Sequence, residues 1–247
     1  ALELAVEVDG RDLELRVQRT GLLTDLEHLT GRTGEELGLD ERLCEPGALQ
    51  HLLAGDVAID DAADAIRLAG AMDAGCLVVY TGGRNHHTFR HANRLFRTAM
   101  DELLDLAEAA DVVLAIEPMH PACAADWTFL TDLESTIHLV ESFQSEHLKM
   151  VFDAYHFGHD QSVLANLKEI VPYTALVQLG DRLSSQSIDH ERCPLGCGVV
   201  PLSEILCSLL EAGYTGDFDV ELLGQEIELS DYEKLLTTSR SAFNKLI

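Results

Sequence analysis

Four short apolar segments of the sequence each end in a side chain that carries an oxygen atom. The segments are VLAIE, KMVFD, ALVQ and FDVE, and their last residues are Glu117, Asp153, Gln178 and Glu221. A carboxylate that follows an apolar run is costly to bury without a partner. Three carboxylates that lie close together also repel each other unless positive charge separates them. If these segment ends converge, the sequence predicts a cation between them.

A divalent metal ion is the cation that such a set of oxygen atoms favours. Oxygen ligands suit a hard ion, Mn²⁺ or Mg²⁺ with Co²⁺ left open, better than they suit tetrahedral zinc. The competing interpretation is that each acid only caps the helix that follows its segment. Because the pattern occurs four times, the sequence favours one metal ion with Glu117, Asp153, Gln178 and Glu221 as its ligands.

The elements that would position these residues alternate along the chain from about residue 57. Apolar runs without polar alternation predict buried parallel strands at 76–82, 112–118, 149–156, 174–181 and 217–224. Stretches rich in Ala, Leu and Glu with a 3.6-residue period predict helices at 57–75, 91–111, 130–143, 161–171 and 203–213. This repetition predicts an α/β fold of the (β/α)₈ TIM-barrel type. The active site of such a barrel lies at the carboxyl ends of its strands.

The first fifty residues do not follow the strand–helix repeat. Residues 2–18 alternate around Asp9-Gly10, which predicts a β-hairpin. A helix-like stretch at 24–44 and a candidate strand at 48–55 follow. We therefore expect one domain over residues 1–247 whose N-terminal part is incomplete or remodelled.

Charge and cysteine usage limit the class of partner and the compartment. The formal net charge is −26, so we expect no binding to nucleic acid or to an anionic membrane surface. No apolar run approaches the roughly 20 residues needed to span a bilayer. The six scattered cysteines indicate free thiols in a reducing cytoplasm. A homo-oligomer is left open.

Further histidine, arginine and tryptophan side chains are candidates for lining the pocket. His120 and His156 each lie three residues after a proposed ligand, and each fits either acid–base chemistry or a structural role. The segment 83-GRNHHTFRHA-92 is locally basic and would suit substrate hydroxyls, a carboxylate or a phosphate. The substrate-binding candidates are Arg84, His87, His91, Trp127 and Arg192.

At these residues the chain resembles the xylose-isomerase-like TIM-barrel superfamily, which includes sugar phosphate isomerases/epimerases and relatives of endonuclease IV. The matching segments are IEPMHP, 153-DAYH-156, 177-VQLGD-181, 196-GCGVVPLSEIL-206 and 212-AGYTGDFDVELLG-224, within residues 57–247. The resemblance implies a catalytic divalent metal on the four residues named above, and a substrate contact for His156.

Two departures from the family pattern affect the predicted reaction. Gln178 stands where the family more often has histidine, which resembles the dehydroshikimate dehydratase branch. Cys123 stands where the ketohexose 3-epimerases carry a further acid, which disfavours simple ketose epimerisation.

The predicted activity is a metal-dependent isomerisation or epimerisation of a sugar or sugar-like hydroxy-carbonyl compound. Glu117 or Glu221 would remove the proton next to the carbonyl to form an enediolate. A lyase or dehydratase acting on a keto-sugar or a dehydroshikimate-like substrate would share that step, with His120 or His156 as the acid. A non-catalytic binding protein on the same barrel is the third alternative, and the charge argues against an abasic-site nuclease.

Overall fold

The computed structural model describes the strands of the N-terminal hairpin and nearly all residues from 56 onward. The described residues are 2–9, 12–19, 56–84, 86–124, 127–184 and 191–247. The predicted helix at 24–44 and the candidate strand at 48–55 lie outside these residues.

Strands and helices alternate over most of the described residues. The strands are β1 (Leu2–Asp9), β2 (Asp12–Arg19), β3 (Cys76–Val79), β4 (Val113–Ile116), β5 (Leu148–Asp153), β6 (Thr174–Leu179) and β7 (Asp217–Leu222). The α-helices are α1 (Asp56–Ala71), α2 (Phe89–Ala110), α3 (Leu133–Phe143), α4 (Ala154–Phe157), α5 (Gln161–Leu164), α6 (Leu167–Ile170), α7 (Leu202–Glu211), α8 (Gln225–Glu228) and α9 (Tyr232–Leu246). A 3₁₀-helix spans Val171–Tyr173.

The predicted strands after residue 57 are all present, and so are the predicted helices except one. The helix predicted at 161–171 is wrong as a continuous element, because that segment forms α5, α6 and a 3₁₀ turn. Asn166 is outside helical geometry between the two short helices, and Pro172 lacks the N–H that a longer helix would need. Among the described residues, no helix is long and apolar enough to cross a membrane.

The internal contacts of the chain divide it into two compact units. The terminal unit comprises Ala1–Gln18 and Val151–Ile247, and the middle unit comprises Arg19–Met150. The expectation of one domain over residues 1–247 stays a prediction.

Parallel strands form the sheet of the middle unit. β3 pairs with β4 with Val79 opposite Ile116, and β4 pairs with the first half of β5 with Ile116 opposite Met150. Glu117 follows β4 directly, and its backbone N–H donates to Val79 O at 3.1 Å. The end of the strand therefore fixes the backbone position of Glu117.

Helix α2 carries the basic segment of the middle unit at its first turn. Its buried residues recur every three or four positions, as expected for a helix with one face on the core: Ala92, Phe96, Ala99, Met100, Leu103 and Ala107. The Thr88 side chain accepts from His91 N–H at the start of the helix, and Asp111 ends it in the left-handed conformation. The basic loop is thus held between β3 and a long, well-packed helix.

The sheet of the terminal unit has the order β2-β1-β7-β6-β5. β6 and β7 are parallel, with Gln178 opposite Asp219. β1 pairs with β7 in the antiparallel direction, with the backbone of Glu3 opposite that of Glu221. The predicted hairpin strands are therefore present, and they interrupt the parallel repeat beside the strand that carries Glu221.

The alternation of β7 places its acids on one face. Phe218 contacts the rings of Tyr214 and Phe243 at centroid distances of 5.2 and 6.0 Å, so its side chain faces α9. Because successive side chains of a strand point to opposite faces, Asp219 and Glu221 point away from α9. Both acids are nevertheless buried.

Candidate functional site

Arg192 joins two of the predicted metal ligands in the terminal unit. Its Nη2 lies 2.9 Å from Asp153 Oδ2 and 2.8 Å from Glu221 Oε2. Its Nη1 donates a second, longer hydrogen bond of 3.3 Å to Asp153 Oδ1. The side chains are 2%, 0% and 8% exposed respectively, so water screens these ion pairs weakly. The strand-end acids of β5 and β7 therefore converge on one guanidinium.

A glycine and an aromatic ring set the position of this guanidinium. A Cβ atom at Gly180 would overlap Arg192 Nη1. The residue just after β6 must therefore be a glycine for the arginine to fit. The guanidinium carbon lies 4.5 Å from the centre of the Tyr155 ring. Arg192 is thus held by its stacking on the ring as well as by its charge. The sequence analysis did not identify Tyr155.

The pKa of Asp153 reflects this environment. Burial alone would raise it, but the charge of Arg192, the neighbouring His156 and hydrogen bonds from Arg192 and from Tyr155 N–H outweigh burial and leave it lowered. The stabilisation that accompanies this lowered pKa is present at neutral pH. It is lost as the pH falls through the folded-state pKa, because the unfolded chain, in which the pKa of Asp153 is higher, binds the proton more tightly.

Asp153 also caps the helix that follows it. Its Oδ1 accepts from Tyr155 N–H at 2.7 Å, at the start of α4. The interpretation of strand-end acids as helix caps is therefore correct for one oxygen of this residue. The other oxygen, Oδ2, lies against Arg192 and is 3.5 Å from His156 Nε2. Asp153 is thus both the N-cap of α4 and a member of the charged cluster with Arg192 and His156.

His156 is completely buried in α4, with the rings of Tyr155 and Phe157 against its edges. A buried imidazole beside a carboxylate can hold a proton at the nitrogen that faces the acid. The placement suits either a proton-transfer group or a group that orients Asp153. Its role toward substrate stays a prediction.

Gln178 is fully buried near the end of β6, and its side-chain amide is unsatisfied. Neither Oε1 nor Nε2 has a hydrogen-bond partner among the residues that the structure describes. A buried amide without a partner is destabilising by roughly 1–3 kcal/mol. Such an amide fits a role in which its oxygen binds a cation and its nitrogen binds a ligand.

Glu117 and His120 lie in the middle unit, in the turn after β4. Glu117 is 1% exposed. Two residues later, the backbone N–H of Met119 donates to Leu130 O. His120 is half-buried, and its Nδ1 accepts from Ala122 N–H at 3.2 Å. The structure therefore gives His120 a role in the turn, while its acid–base role and the metal-ligand role of Glu117 stay predictions.

Trp127 also contributes to the packing of the middle unit. Its ring meets Tyr80 edge to face at 5.3 Å, and its carbonyl accepts from Gly82 N–H at 2.9 Å. These contacts tie the loop after β4 to the loop after β3. Trp127 therefore holds two loops together at the carboxyl ends of their strands.

The middle unit contains a cavity of about 890 Å³ beside the basic segment. Arg84 and His87 line it, together with His86, which the sequence analysis did not select. His91 lies next to His87, with ring centroids 4.5 Å apart, and its Nδ1 is 2.9 Å from Arg94 Nη2.

Asp181 organises the loop that delivers Arg192, a role that the sequence analysis did not predict. Its buried carboxylate accepts four backbone N–H groups at 2.8–3.1 Å, those of Arg182, Gly196, Gly198 and Val200. Its own carbonyl accepts from Cys193 N–H at 2.9 Å. The only signal in the sequence is an acid just beyond a strand followed by a glycine-rich loop.

Replacing Asp181 with alanine is expected to lower the free energy of unfolding by about 3 kcal/mol, because four backbone donors lose a charged acceptor. Chemical denaturation of the metal-free protein measures the change. Asp160→Ala is the matched control, since Asp160 caps the exposed helix α5 through Ser162 N–H and should lose only about 1 kcal/mol. Equal losses for the two variants would contradict the role assigned to Asp181.

The described cysteines are free, as the sequence predicts: Cys76, Cys123, Cys193, Cys197 and Cys207. Burial, with the nearby charges of Asp181 and Cys197, raises the pKa of the Cys193 thiol to about 11. Cys193 is therefore a neutral thiol at physiological pH and a packing residue of the loop.

Sequence comparison matches residues 46–242 to the xylose isomerase-like TIM barrel family. The chain is 26% identical over 153 residues to an inosose isomerase of Bacillus velezensis, covering 60% of this chain and 53% of the relative. It is 28% identical over 116 residues to a D-psicose 3-epimerase of Enterocloster bolteae, covering 47% of this chain and 35% of the relative. The chain thus spans about half or less of the length of the curated relatives it matches.

Solved structures show the same fold. The protein SMc04130 from Sinorhizobium meliloti 1021 superposes with a TM-score of 0.70 at 26% identity, over 76% of this chain and 70% of that one. An L-ribulose 3-epimerase gives 0.66 at 16% identity, over 92% and 90%. The IolI protein, solved with a bound zinc atom, gives 0.66 at 19% identity, over 77% and 69%.

Proposed function

Because the chain belongs to the xylose isomerase-like TIM barrel family, we propose that it is a divalent-metal-dependent isomerase or epimerase of a sugar or sugar-like hydroxy-carbonyl compound. The observation that carries the proposal is the buried cluster in which Arg192 joins Asp153 and Glu221. Relatives named as inosose isomerase and D-psicose 3-epimerase support this class of reaction.

The proposed metal ligands are Glu117, Asp153, Gln178 and Glu221. The unsatisfied amide of Gln178 supports the assignment, since a buried oxygen without a donor fits a cation. All four donors are oxygen atoms, which favours Mn²⁺ or Mg²⁺ and leaves Co²⁺ open. A bound divalent ion would supply the positive charge that an enediolate requires.

The side chains of the chain itself would handle the proton. A glutamate, Glu117 or Glu221, removes the proton from the carbon next to the substrate carbonyl. Return of the proton to the opposite face of that carbon gives epimerisation, and return to the neighbouring carbon gives isomerisation. Arg192 would steady the carboxylate of Glu221 and contact a substrate oxygen.

Deuterium exchange tests this function. The protein, loaded with Mn²⁺, is incubated in D₂O with a panel of ketohexoses, inosose and 3-dehydroshikimate, and the products are analysed by NMR and mass spectrometry. We expect one deuterium next to the carbonyl, a rearranged sugar of the same formula, and no reaction after chelation. Loss of water from a substrate would replace this proposal with a lyase, and metal binding without any exchange would indicate a binding protein.

A further inference from the structure

The basic segment of the middle unit stands out in a chain of strongly acidic composition. Residues 74–100 contain no Asp or Glu, although the chain has 43 such residues and the average would place about five there. The same stretch holds four arginines and three histidines: Arg84, Arg90, Arg94, Arg97, His86, His87 and His91. The sequence therefore concentrates basic side chains in this segment, which favours a local positive potential.

Three of these basic side chains line the 890 Å³ cavity of the middle unit, namely Arg84, His86 and His87. The rest of the wall comes from the segment that leads into α3: Pro121, Ala124, Thr128, Phe129, Leu130, Thr131, Asp132 and Ser135, with Phe89 from α2. Hydroxyl groups on this wall add neutral hydrogen-bonding capacity. The cavity is large enough for a group the size of a sugar with an acidic substituent.

The guanidinium of Arg84 has no ion pair or hydrogen bond among the described residues. Two other arginines among the described residues do pair with acids. Arg67 bonds Asp64, and Arg192 bonds Asp153. An exposed arginine that lines a cavity, and that no described carboxylate neutralises, is suited to an anion that comes from outside the chain.

The backbone of His86 sets the direction of the loop. Its φ is 69°, in the left-handed region, as it also is at the helix ends Asp111 and Gln144. The conformation is therefore a feature of the turn, and it is the side chains of the cavity that favour a ligand. The turn places His86 and the adjacent His87 on the wall of the cavity.

One acid, Asp132, lines the cavity among its described residues. Its Oδ1 accepts from Ser135 N–H at 2.7 Å, so this carboxylate is engaged at the start of α3. Its negative charge opposes an anion, but one arginine and two imidazole donors face the same space. The chemistry of the wall therefore favours an anionic group over a neutral sugar alone.

We propose that this cavity binds a carboxylate or phosphate group, with Arg84 as its ion-pair partner and His86 and His87 as hydrogen-bond donors. The anion site rests on the cavity and its side chains. Assigning the anion to the substrate, as an acidic sugar or a sugar phosphate, rests in addition on the proposed isomerase or epimerase function. On that assignment the substrate would be an acidic sugar or a sugar phosphate, a choice that the proposed metal ligands leave open.

Calorimetry of the full chain with inorganic phosphate and with acetate, at constant ionic strength, tests the site. We expect one of the two anions to bind, and Arg84→Gln to weaken that binding about tenfold through loss of a charge-assisted hydrogen bond. Arg67→Gln is the matched control, because Arg67 lies in the same unit but pairs with Asp64. The stronger of phosphate and acetate identifies the class of anion.

Absence of binding by the unmodified protein, or equal binding by Arg84→Gln, would overturn the anion site. If the melting temperature of Arg84→Gln equals that of the unmodified protein, misfolding is excluded as the cause of weaker anion binding. For the substrate assignment, Arg84→Gln should raise the KM of an acidic or phosphorylated ketose about tenfold and leave the KM of the neutral ketose unchanged. An equal effect on both ketoses would overturn the assignment, whereas anion binding without any sugar turnover would overturn only the proposed activity.

Discussion

The Glu221→Gln variant is expected to exchange substrate hydrogen for deuterium about 10²–10⁴-fold more slowly than the unmodified protein. Glutamine keeps the shape of glutamate, and its amide oxygen can still lie against the guanidinium of Arg192, so the buried cluster should survive. It cannot take up a proton, and this loss removes the proposed base. The rate is measured in D₂O with the substrate that the exchange screen identifies.

A titration with Mn²⁺ separates the two roles proposed for Glu221. If the residue acts as a base, the low rate persists when the metal is saturating. If it acts only as a ligand, excess metal restores the rate, and the catalytic assignment is wrong. Glu228→Gln is the control, because Glu228 is an exposed glutamate on α8, a few residues further along the chain.

Strand positions and their terminal acids could be predicted because they depend on local pattern. A buried parallel strand needs an apolar run, and a polar side chain is tolerated where that run ends. This reasoning located β5 and β7 and brought Asp153 and Glu221 into one candidate site. The ion pairs to Arg192 show that these two ends do converge in the terminal unit.

The arrangement around Arg192 could not be predicted, since it depends on contacts between residues far apart in the sequence. Three contacts set the position of Arg192. Asp181 accepts backbone N–H groups of the loop, Gly180 has no Cβ atom to overlap the guanidinium, and the ring of Tyr155 packs against it. None of these contacts leaves a periodic signal. The pairing of β1 with β7 also joins residues far apart in the sequence, and the alternating pattern of the hairpin does not predict it.

Arg192→Gln is expected to destabilise the metal-free protein by about 3–5 kcal/mol, because breaking a buried ion pair leaves its partner uncompensated. Here one substitution removes the counter-charge of two buried acids, Asp153 and Glu221. Chemical denaturation in the presence of a chelator measures the loss. Arg240→Gln, an exposed arginine on α9 of the same unit, should stay close to the unmodified protein.

The same substitution should enlarge the stabilisation that a divalent cation provides. With Arg192 present, a cation that approaches Asp153 and Glu221 meets a positive group already bonded to both. Without it, the cation is the main source of compensating charge, so Mn²⁺ should raise the melting temperature more in Arg192→Gln than in the unmodified protein. An equal rise in both proteins would mean that Arg192 and the cation act on different carboxylates.

The pH dependence of stability provides an independent test. The largest influence on the pKa of Asp153 is burial, which raises it. The charge of Arg192 is the next largest influence, and it lowers the pKa. Removing Arg192 should therefore let burial dominate, so that the folded protein binds a proton at Asp153 more tightly than the unfolded chain does. The metal-free variant should then recover stability as the pH falls from 7 toward 5, relative to the unmodified protein, in which the lowered pKa keeps Asp153 ionised over that range. His156 faces Asp153 in both proteins, and Glu221 loses the same counter-charge, so the comparison measures the effect of Arg192 on both acids. A variant whose stability follows the same pH curve as the unmodified protein would show that Arg192 does not control the charge of Asp153.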